Sequence, residues 1–280
     1  METISIFGGT GFIGSKFSEK YPDAIIVPRE KRESPTPNII NFISTVDNYN
    51  ILKDPYKDVL TNLIVFMEIL DTNRRKWGDN LVFAQVSTWF VYGSTDLPAK
   101  ETSCCNPTGA YSVTALAREQ LLASYSKTFN INFRILRLGN VIGIGDKKIS
   151  TRKNALQFMI RELAQGREIN LYQNSAIRDF IDVRDCVEAI HLVLEKGELN
   201  QIYNVANGQG YSVGDLVHTA WREAGFTGKI NEVPVPEFHR IVQTPKMYLD
   251  IRKLKSLGYE KKHEIKDSVK ELVRHYQNEA

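Results

Sequence analysis

The chain has 280 residues, of which 42% are hydrophobic and 25% charged, values that are ordinary for a soluble globular protein. Its net charge of +3 and its scattered basic residues do not indicate a nucleic-acid partner. Three cysteines give no disulfide framework, the histidines never fall at metal-ligand spacing, and no apolar run approaches the roughly 18 residues of a membrane span. We therefore expect a cytoplasmic protein with no metal and no membrane partner.

The first half of the chain alternates apolar runs with helical patterns. Predicted strands cover 4–9, 24–28, 38–44, 81–87 and 133–141, and the second is expected to be buried. Predicted helices cover 12–21, 56–72 and 110–129. In the helix over 56–72, one face is expected to carry Val59, Leu60, Leu63, Ile64, Met67 and Leu70. Such alternation indicates an α/β fold with a doubly wound parallel sheet (Rossmann).

The pattern loosens after Gly145. Helices are predicted near 153–165, 213–224 and 264–278, a strand at 202–206, and loop with an edge strand over the proline-rich segment 229–245. We interpret 1–143 and 181–206 as a dinucleotide-binding Rossmann domain. A smaller C-terminal substrate domain, binding a sugar nucleotide, is predicted over 144–180 and 207–280.

Three glycines stand at three-residue intervals between the first strand and the first helix: Gly8, Gly11 and Gly14. Glycine lets the backbone turn sharply and approach a pyrophosphate, whose charge meets the free N–H groups at the helix start. The strand–turn–helix context predicts a dinucleotide site.

The end of the second strand indicates the type of cofactor. An acidic residue there binds the ribose hydroxyl of NAD, whereas a basic one suits the 2′-phosphate of NADP. Arg29 occupies this position, with Lys31 and Arg32 close behind. A solvated charged loop is the alternative interpretation. The pattern favours NADP, with NAD as the alternative.

Four further motifs follow the glycine loop in order: VSTWFVYG (86–93), YSVTALAREQ (111–120), RLGNVIG (137–143) and RDFIDVRD (178–185). Together the five motifs resemble the extended short-chain dehydrogenase/reductase family of nucleotide-sugar epimerases, dehydratases and ketoreductases. The resemblance implies a nucleotide-sugar substrate. It also implies a homodimer, because family members often pair through the helices that correspond to 56–72 and 110–129.

The resemblance also implies roles for individual residues. Tyr111 would be the general acid/base, Thr88 would bond the reacting sugar oxygen, and Asn140 and Arg178 would hold the diphosphate region. Asn62 would steady the neighbouring helix and strand. The implied cofactor contacts are Gly8, Thr10, Gly11, Phe12, Ile13, Arg29, Phe42, Ile43, Ser44, Asn62, Tyr111 and Leu138.

One catalytic position departs from the family pattern. The family carries a lysine four residues after the tyrosine, on the same helix face, where it lowers the tyrosine pKa from about 10 and bonds the nicotinamide ribose. Here Ala115 stands instead, either by natural loss or by a deliberate Lys→Ala change, and the intact surroundings favour the latter. Both histories predict a folded cofactor binder with strongly reduced turnover. Arg118 is a possible substitute cation, but its longer rigid side chain would need a different path.

The residues after Thr88 narrow the reaction. Family dehydratases carry an Asp-Glu pair there and decarboxylases often a glutamate at the second position, whereas this chain has Trp89 and Phe90, which cannot transfer protons. A ketoreductase acting on a nucleotide-linked 4-keto-deoxysugar and a 4-epimerase with tightly bound NAD remain. Arg29 and the short segment between the second and third strands, which removes the usual adenine-pocket residues, favour the reductase. A non-catalytic cofactor-binding protein is the third possibility.

Overall fold

The computed structural model describes residues 3–279, so the outermost residues of both predicted domains (1, 2 and 280) lie outside the described part. Six parallel strands form the central sheet in the order β2-β1-β3-β4-β5-β9. They are β1 (Ile4–Phe7), β2 (Ile25–Ile26), β3 (Asn38–Asn41), β4 (Val82–Thr88), β5 (Asn132–Leu138) and β9 (Gln201–Val205). Helices lie in the crossover connections β1–β2, β3–β4, β4–β5 and β5–β9, whereas the segment 27–37 joins β2 to β3 without a helix. The predicted doubly wound α/β fold is confirmed.

Two smaller sheets lie outside the central one. Their strand orders are β10-β8-β6 and β11-β7. The strands are β6 (Asn140–Ile142), β7 (Ile169–Tyr172), β8 (Ile177–Asp182), β10 (Gly210–Ser212) and β11 (Ile230–Val233). The predicted run over 133–141 is therefore divided at Gly139, and its last residues join a different sheet.

Ten α-helical segments are described over residues 3–279. They are α1 (Phe12–Lys20), α2 (Lys57–Val59), α3 (Val65–Trp77), α4 (Ala110–Phe129), α5 (Ala155–Ala164), α6 (Val183–Lys196), α7 (Val213–Glu223), α8 (Glu237–Val242), α9 (Arg252–Ser256) and α10 (Ile265–Asn278). A π-helical segment, Leu60–Ile64, joins α2 to α3. No helix within the described range is both long enough and apolar enough to span a membrane.

The ends of α4 explain why its predicted bounds agree with the structure. Gly109 precedes the helix, and its N–H donates to the Ser112 hydroxyl over 3.1 Å, which satisfies a donor that the helix start leaves free. Asn130 ends the helix in the left-handed conformation (φ 54°), which asparagine tolerates better than most residues. Both end signals lie within the helix or next to it in the chain, so the bounds of α4 can be predicted from the sequence.

Two expectations about burial are wrong. The run 24–28 was expected to be a buried strand, but β2 has only two residues, and Ile25 and Ile26 are each 42% exposed. The reason is its place at the sheet edge, where no further strand from the described part of the chain covers it. The segment that links β2 to β3 leads directly to the far side of β1.

The helix over 56–72 also differs from its predicted pattern. Val59, Leu60 and Ile64 are exposed, whereas the face that packs inward carries Asp58, Asn62, Phe66, Ile69, Leu70 and Asn73. A π-helical turn holds more residues than an α-helical one, and the inserted Leu60–Ile64 segment therefore rotates the side chains before it relative to those after it. An extrapolation at 3.6 residues per turn fails across it.

Three apolar clusters form the interior. Two cover the opposite faces of the central sheet, one against α1 and α6 and the other against α3 and α4. The third cluster lies among α5, α7 and α10. A late stretch of the chain returns to the first cluster through Met247, Leu249, Ile251, Leu254 and Tyr259.

Candidate active site

The glycine turn lies between β1 and α1. Gly8 has φ +79°, a conformation that side chains strain, and its carbonyl accepts the Gly11 N–H over 3.1 Å. A Cβ on Gly14 would lie 2.5 Å from the Gly8 oxygen, so the close packing of turn and helix needs glycine there. The first turn of α1 has no acidic residue and no side-chain cap. Its free N–H groups and positive dipole end suit a dinucleotide pyrophosphate.

The other predicted contacts in this region take different positions. Thr10 and Gly11 are exposed at the tip of the turn, while Phe12 and Ile13 are half-buried against the core. The segment after β3 passes next to the turn, since a Cβ on Gly8 would lie 3.0 Å from the Ile43 nitrogen. Phe42 is half-buried at this place.

The basic residues after β2 divide into two groups. Arg32 is engaged, since it donates to Glu68 over 2.7 Å and to the Arg29 carbonyl over 2.9 Å. The Arg29 and Lys31 side chains are exposed and form no hydrogen bond or ion pair with any residue in 3–279. Arg29 is therefore the nearest uncommitted cation to the end of β2.

Tyr111 and Thr88 meet at the carboxyl edge of the central sheet. Thr88 is the last residue of β4, and Tyr111 lies in the first turn of α4; both are buried. Burial raises the pKa of Tyr111 above its usual value, against the lowering effects of the Thr88 hydroxyl, the Arg118 charge and the Ser44 hydroxyl. Asp58 raises the pKa further. The phenol is therefore neutral at neutral pH and able to donate a proton.

Ala115 lies one turn beyond Tyr111 and is fully buried. Arg118 follows on the same face and is 1% exposed, the largest side chain among the fully buried ones. Its guanidinium donates to the Ile43 carbonyl over 2.9 Å and to the Val86 carbonyl over 3.2 Å. The Arg118 side chain lies close enough to Tyr111 for each charge to affect the pKa of the other.

Asn62 links the helical segment 60–64 to both of its neighbours. Its Nδ2 donates to Thr45 Oγ1 over 2.8 Å and to Thr114 Oγ1 over 3.0 Å, and its Oδ1 accepts the Thr45 N–H over 2.9 Å. Ser44 donates to the same oxygen over 3.3 Å. Asn62 thus holds the segment after β3 against α4, near Tyr111.

A row of aromatic rings lines the site from Tyr111 outward. The Phe90 ring lies 6.0 Å from that of Tyr111, edge to face, and stacks on Trp89 at 3.8 Å. The Arg178 guanidinium lies 5.0 Å from the Trp89 ring, an arrangement in which the π-electrons attract the cation. Burial lowers the pKa of Arg178 to about 10, and the side chain still carries its charge at neutral pH.

Leu138 is the last residue of β5, and Asn140 is the first residue of β6. Asn140 donates to the Asp179 carbonyl over 3.0 Å, so β6 and β8 bring it beside the segment that carries Arg178. Leu138 is buried in the core, which limits its predicted cofactor contact to the main chain. No group of three or more histidine, cysteine, aspartate or glutamate side chains within residues 3–279 is arranged to hold a metal ion.

One pair of residues near the site belongs to none of the five motifs. Tyr49, in the loop after β3, contacts His239 of α8, with 2.6 Å between the hydroxyl and Nδ1. Burial and the Arg178 charge lower the pKa of His239. The two residues are far apart in the chain and belong to no motif, so the sequence carries no local signal for their contact.

The chain belongs to the NAD dependent epimerase/dehydratase family, whose model matches residues 37–206. This confirms the resemblance that the five motifs indicate, and with it the prediction of an enzyme. A putative UDP-glucose 4-epimerase of Methanocaldococcus jannaschii is 27% identical, over 98% of this chain and 98% of the relative. The GDP-6-deoxy-D-mannose reductase of Pseudomonas aeruginosa is 29% identical, over 59% of this chain and 56% of the relative.

Solved structures share the fold over nearly the whole chain. A UDP-glucose 4-epimerase of Thermotoga maritima, with UDP-glucose, has a TM-score of 0.87 at 20% identity and covers 99% of both chains. RMD of Pseudomonas aeruginosa, complexed with NADPH, has a TM-score of 0.86 at 20% identity, over 99% of this chain and 100% of that one. These similarities extend to an epimerase and to an NADPH complex alike.

Proposed function

We propose that the protein is an NADP-dependent ketoreductase that acts on a nucleotide-linked 4-keto-deoxysugar. The observation that carries this proposal is the neutral phenol of Tyr111, buried beside Thr88, next to the non-titrating pair Trp89 and Phe90. Such a site can give one proton to a substrate oxygen but offers no second acid or base for water loss. Reduction of a ketone needs only that one proton.

Each residue of the site has a defined task in this reaction. When NADPH is bound, it supplies a hydride to the carbonyl carbon. Thr88 orients the carbonyl oxygen, and Tyr111 gives that oxygen its phenolic proton, which converts the C=O bond to a C–H and an O–H bond. Tyr111 then regains a proton from water. Asn140 and Arg178 hold the nucleotide diphosphate, for which the planar guanidinium fork is suited.

The basic residues after β2 support NADP over NAD. Arg29 is exposed and uncommitted where an NAD-binding protein carries an acid, so its charge is free to meet a 2′-phosphate. The exposed β2 edge leaves the adenine side less enclosed, which suits a cofactor that is exchanged in every turnover.

A nucleotide-sugar 4-epimerase is the second candidate. It is supported by the similarity to the putative UDP-glucose 4-epimerase, which extends over 98% of both chains. An epimerase retains NAD and uses tyrosine first as a base, and a pKa raised by burial opposes that first step. A cofactor-binding protein without catalysis is a third candidate, for which Ala115 is the support.

We also propose that the protein is a cytoplasmic homodimer. Exposed apolar side chains on the 57–64 segment, together with Val113 of α4, offer a surface of the kind that dimers cover. The three cysteines are free, which suits a reducing compartment.

The test is NADPH oxidation with a panel of nucleotide-linked 4-keto-deoxysugars, run on the chain with Ala115 as it stands and on Tyr111→Phe. We expect stoichiometric oxidation by the former and a decrease in kcat of about 10²- to 10⁴-fold in the latter, with NADPH binding retained. Interconversion of sugar isomers without NADPH consumption would replace the reductase by the epimerase. Cofactor binding with neither reaction would favour the non-catalytic protein.

A further inference from the structure

We propose that Arg118 supplies the positive charge beside Tyr111 that the motif lysine would supply, and that Ala115 belongs to this replacement because it keeps a second cation away. The inference rests on the proposed reductase function. Arg118 is a positioning residue in this arrangement, because it acts through Tyr111. On this proposal the site is catalytically active. It replaces the prediction of strongly reduced turnover, which considered Ala115 alone.

The three residues share one buried face of α4. Positions 111, 115 and 118 are separated by four and then three residues, which brings them into line on an α-helix. Tyr111, Ala115 and Arg118 are 7%, 0% and 1% exposed. Arg118 is therefore directed into the same interior region that a lysine at 115 would enter.

The hydrogen bonds of Arg118 place its charge at the working edge of the sheet. One acceptor is the carbonyl of Ile43, just beyond β3. The other is the carbonyl of Val86, which lies in β4 shortly before Thr88. Ile43 is also the residue whose main chain packs against Gly8 of the glycine turn. The cation thus contacts the segment that packs against the glycine turn, and its charge also acts on Tyr111.

No carboxylate among residues 3–279 contacts this arginine, and the nearby Glu119 charge only partly opposes the effect of burial, which lowers the pKa of Arg118. Arg118 forms no ion pair with any residue of the described range, and the adjacent Glu119 is committed to Arg137, which it meets at 2.6 Å, and to Ser87. The Arg118 Nε is buried and has no hydrogen-bond partner within residues 3–279. Burying an unpaired cation costs free energy, so a structural role alone does not explain why it lies here.

The same electrostatics explains why position 115 carries an alanine. A lysine at 115 would stand three residues before Arg118 on the same buried face, and two like charges at that spacing repel. Only one cation is accommodated. As Tyr111 gives up its proton, the negative charge that forms on its oxygen is stabilised by Arg118, because an opposite charge nearby favours the ionised form.

The experiment compares five variants with the unmodified chain, and four of them are Arg118→Met, Ala115→Lys, the exchange of both (Ala115→Lys with Arg118→Ala), and Arg134→Met as the matched control. Arg134 also donates only to a main-chain carbonyl, that of Gly197, but it lines a cavity at the amino edge of the sheet. Circular dichroism checks that each variant is folded. Arg118→Lys provides a second, charge-retaining variant.

The first readout does not depend on turnover. Tyrosinate absorbance is titrated in the cofactor-free protein, and the same titration in the Tyr111→Phe background isolates Tyr111 by difference. We expect the ionisation constant of Tyr111 to fall about 10-fold or more in Arg118→Met, which is one pKa unit. Arg118→Lys and Arg134→Met should leave it near its natural value. An unchanged constant in Arg118→Met would overturn the proposal.

The second readout is kcat, with NADPH affinity measured separately. We expect Arg118→Met to lose about 10²-fold in kcat, Ala115→Lys alone to gain nothing, and the exchange variant to return to within about 10-fold of the natural rate. A rise in kcat from Ala115→Lys alone would mark alanine as the disabling residue and refute the inference. If no variant reduces a keto sugar and the Tyr111 titration still shifts, the reductase function fails and the role of Arg118 stands.

Discussion

Asp179 is a single carboxyl group that ties three segments together from a buried position. Its Oδ1 accepts the Asn207 N–H over 2.9 Å, and its Oδ2 accepts the N–H groups of Gly208 and Leu249 over 3.0 and 3.1 Å. The neighbouring site residue Arg178 lies on the same strand, β8. Asp179 therefore fixes the residue that is proposed to hold the diphosphate.

We expect Asp179→Asn to lower the free energy of unfolding by about 2 kcal/mol, because an amide NH₂ would face a main-chain N–H and leave donors unpaired. Urea unfolding measures the change, and Asp23→Asn, an exposed aspartate, is the control. Equal stability of the two variants would show that the three hydrogen bonds contribute little.

The same carboxyl group predicts a pH dependence. Burial raises the pKa of Asp179 from 3.8 to about 7, so between these values the native state binds more protons than the unfolded state. The contribution of this group to stability is complete below about pH 4 and is lost as the pH rises through about 7. Urea unfolding at about pH 5 and about pH 7.5 should show this decrease in the natural chain. The decrease should be smaller in Asp179→Asn.

Arg29 carries the prediction about cofactor choice. We expect Arg29→Ala to reduce the preference for NADPH over NADH about 10-fold, which corresponds to about 1.4 kcal/mol, because a charge-assisted hydrogen bond to the 2′-phosphate is lost. Titration of the two cofactors measures the ratio of dissociation constants. Lys127→Ala, which removes an exposed charge from the end of α4, should leave the ratio unchanged. A ratio that Arg29→Ala does not alter would contradict the assignment.

The motifs that form the candidate site could be identified from the sequence because each of them is a short, local pattern. The burial of Arg118 could not, since it depends on carbonyls at Ile43 and Val86 that come together only in the folded sheet. The same reason applies to Tyr49 and His239, which meet from distant parts of the chain.

At the scale of the element, the glycine turn gives a test of backbone packing. We expect Gly14→Ala to lower the free energy of unfolding by about 1–2 kcal/mol and to weaken cofactor binding, because its Cβ would lie 2.5 Å from the Gly8 oxygen. Thermal unfolding and NADPH titration measure the two effects. Gly11→Ala is the matched control, since φ at this position is −76° and its Cβ would lie 3.3 Å from the same oxygen. Similar losses of stability in both variants would argue against the packing explanation.

Elements with local start and stop signals could be predicted, and α4 is the best example. The small sheet β10-β8-β6 could not, because its strands are short and pair across wide separations in the chain. The buried face of the 57–77 helical region escaped prediction for a different reason. The π-helical segment Leu60–Ile64 interrupts the 3.6-residue repeat on which a helical pattern rests.

At the scale of the whole molecule, the exposed apolar surface on 57–64 predicts the oligomeric state. We expect Leu60→Asp to convert a dimer to a monomer, because Leu60 is 55% exposed and a charge buried in an interface is costly. Sedimentation velocity measures the mass. Phe226→Asp is the control, since Phe226 is 61% exposed but follows α7, in another part of the fold. A monomeric natural chain would rule out the homodimer.

The return of residues 247–259 to the first apolar cluster has a consequence for synthesis of the chain. All other residues of this cluster are synthesised by Ala206, yet Met247, Leu249, Ile251, Leu254 and Tyr259 emerge from the ribosome later. At roughly 5–20 residues per second, the delay is on the order of several seconds. During that interval the nascent chain presents an open apolar surface to the cell, which makes it a substrate for chaperones before it becomes an enzyme.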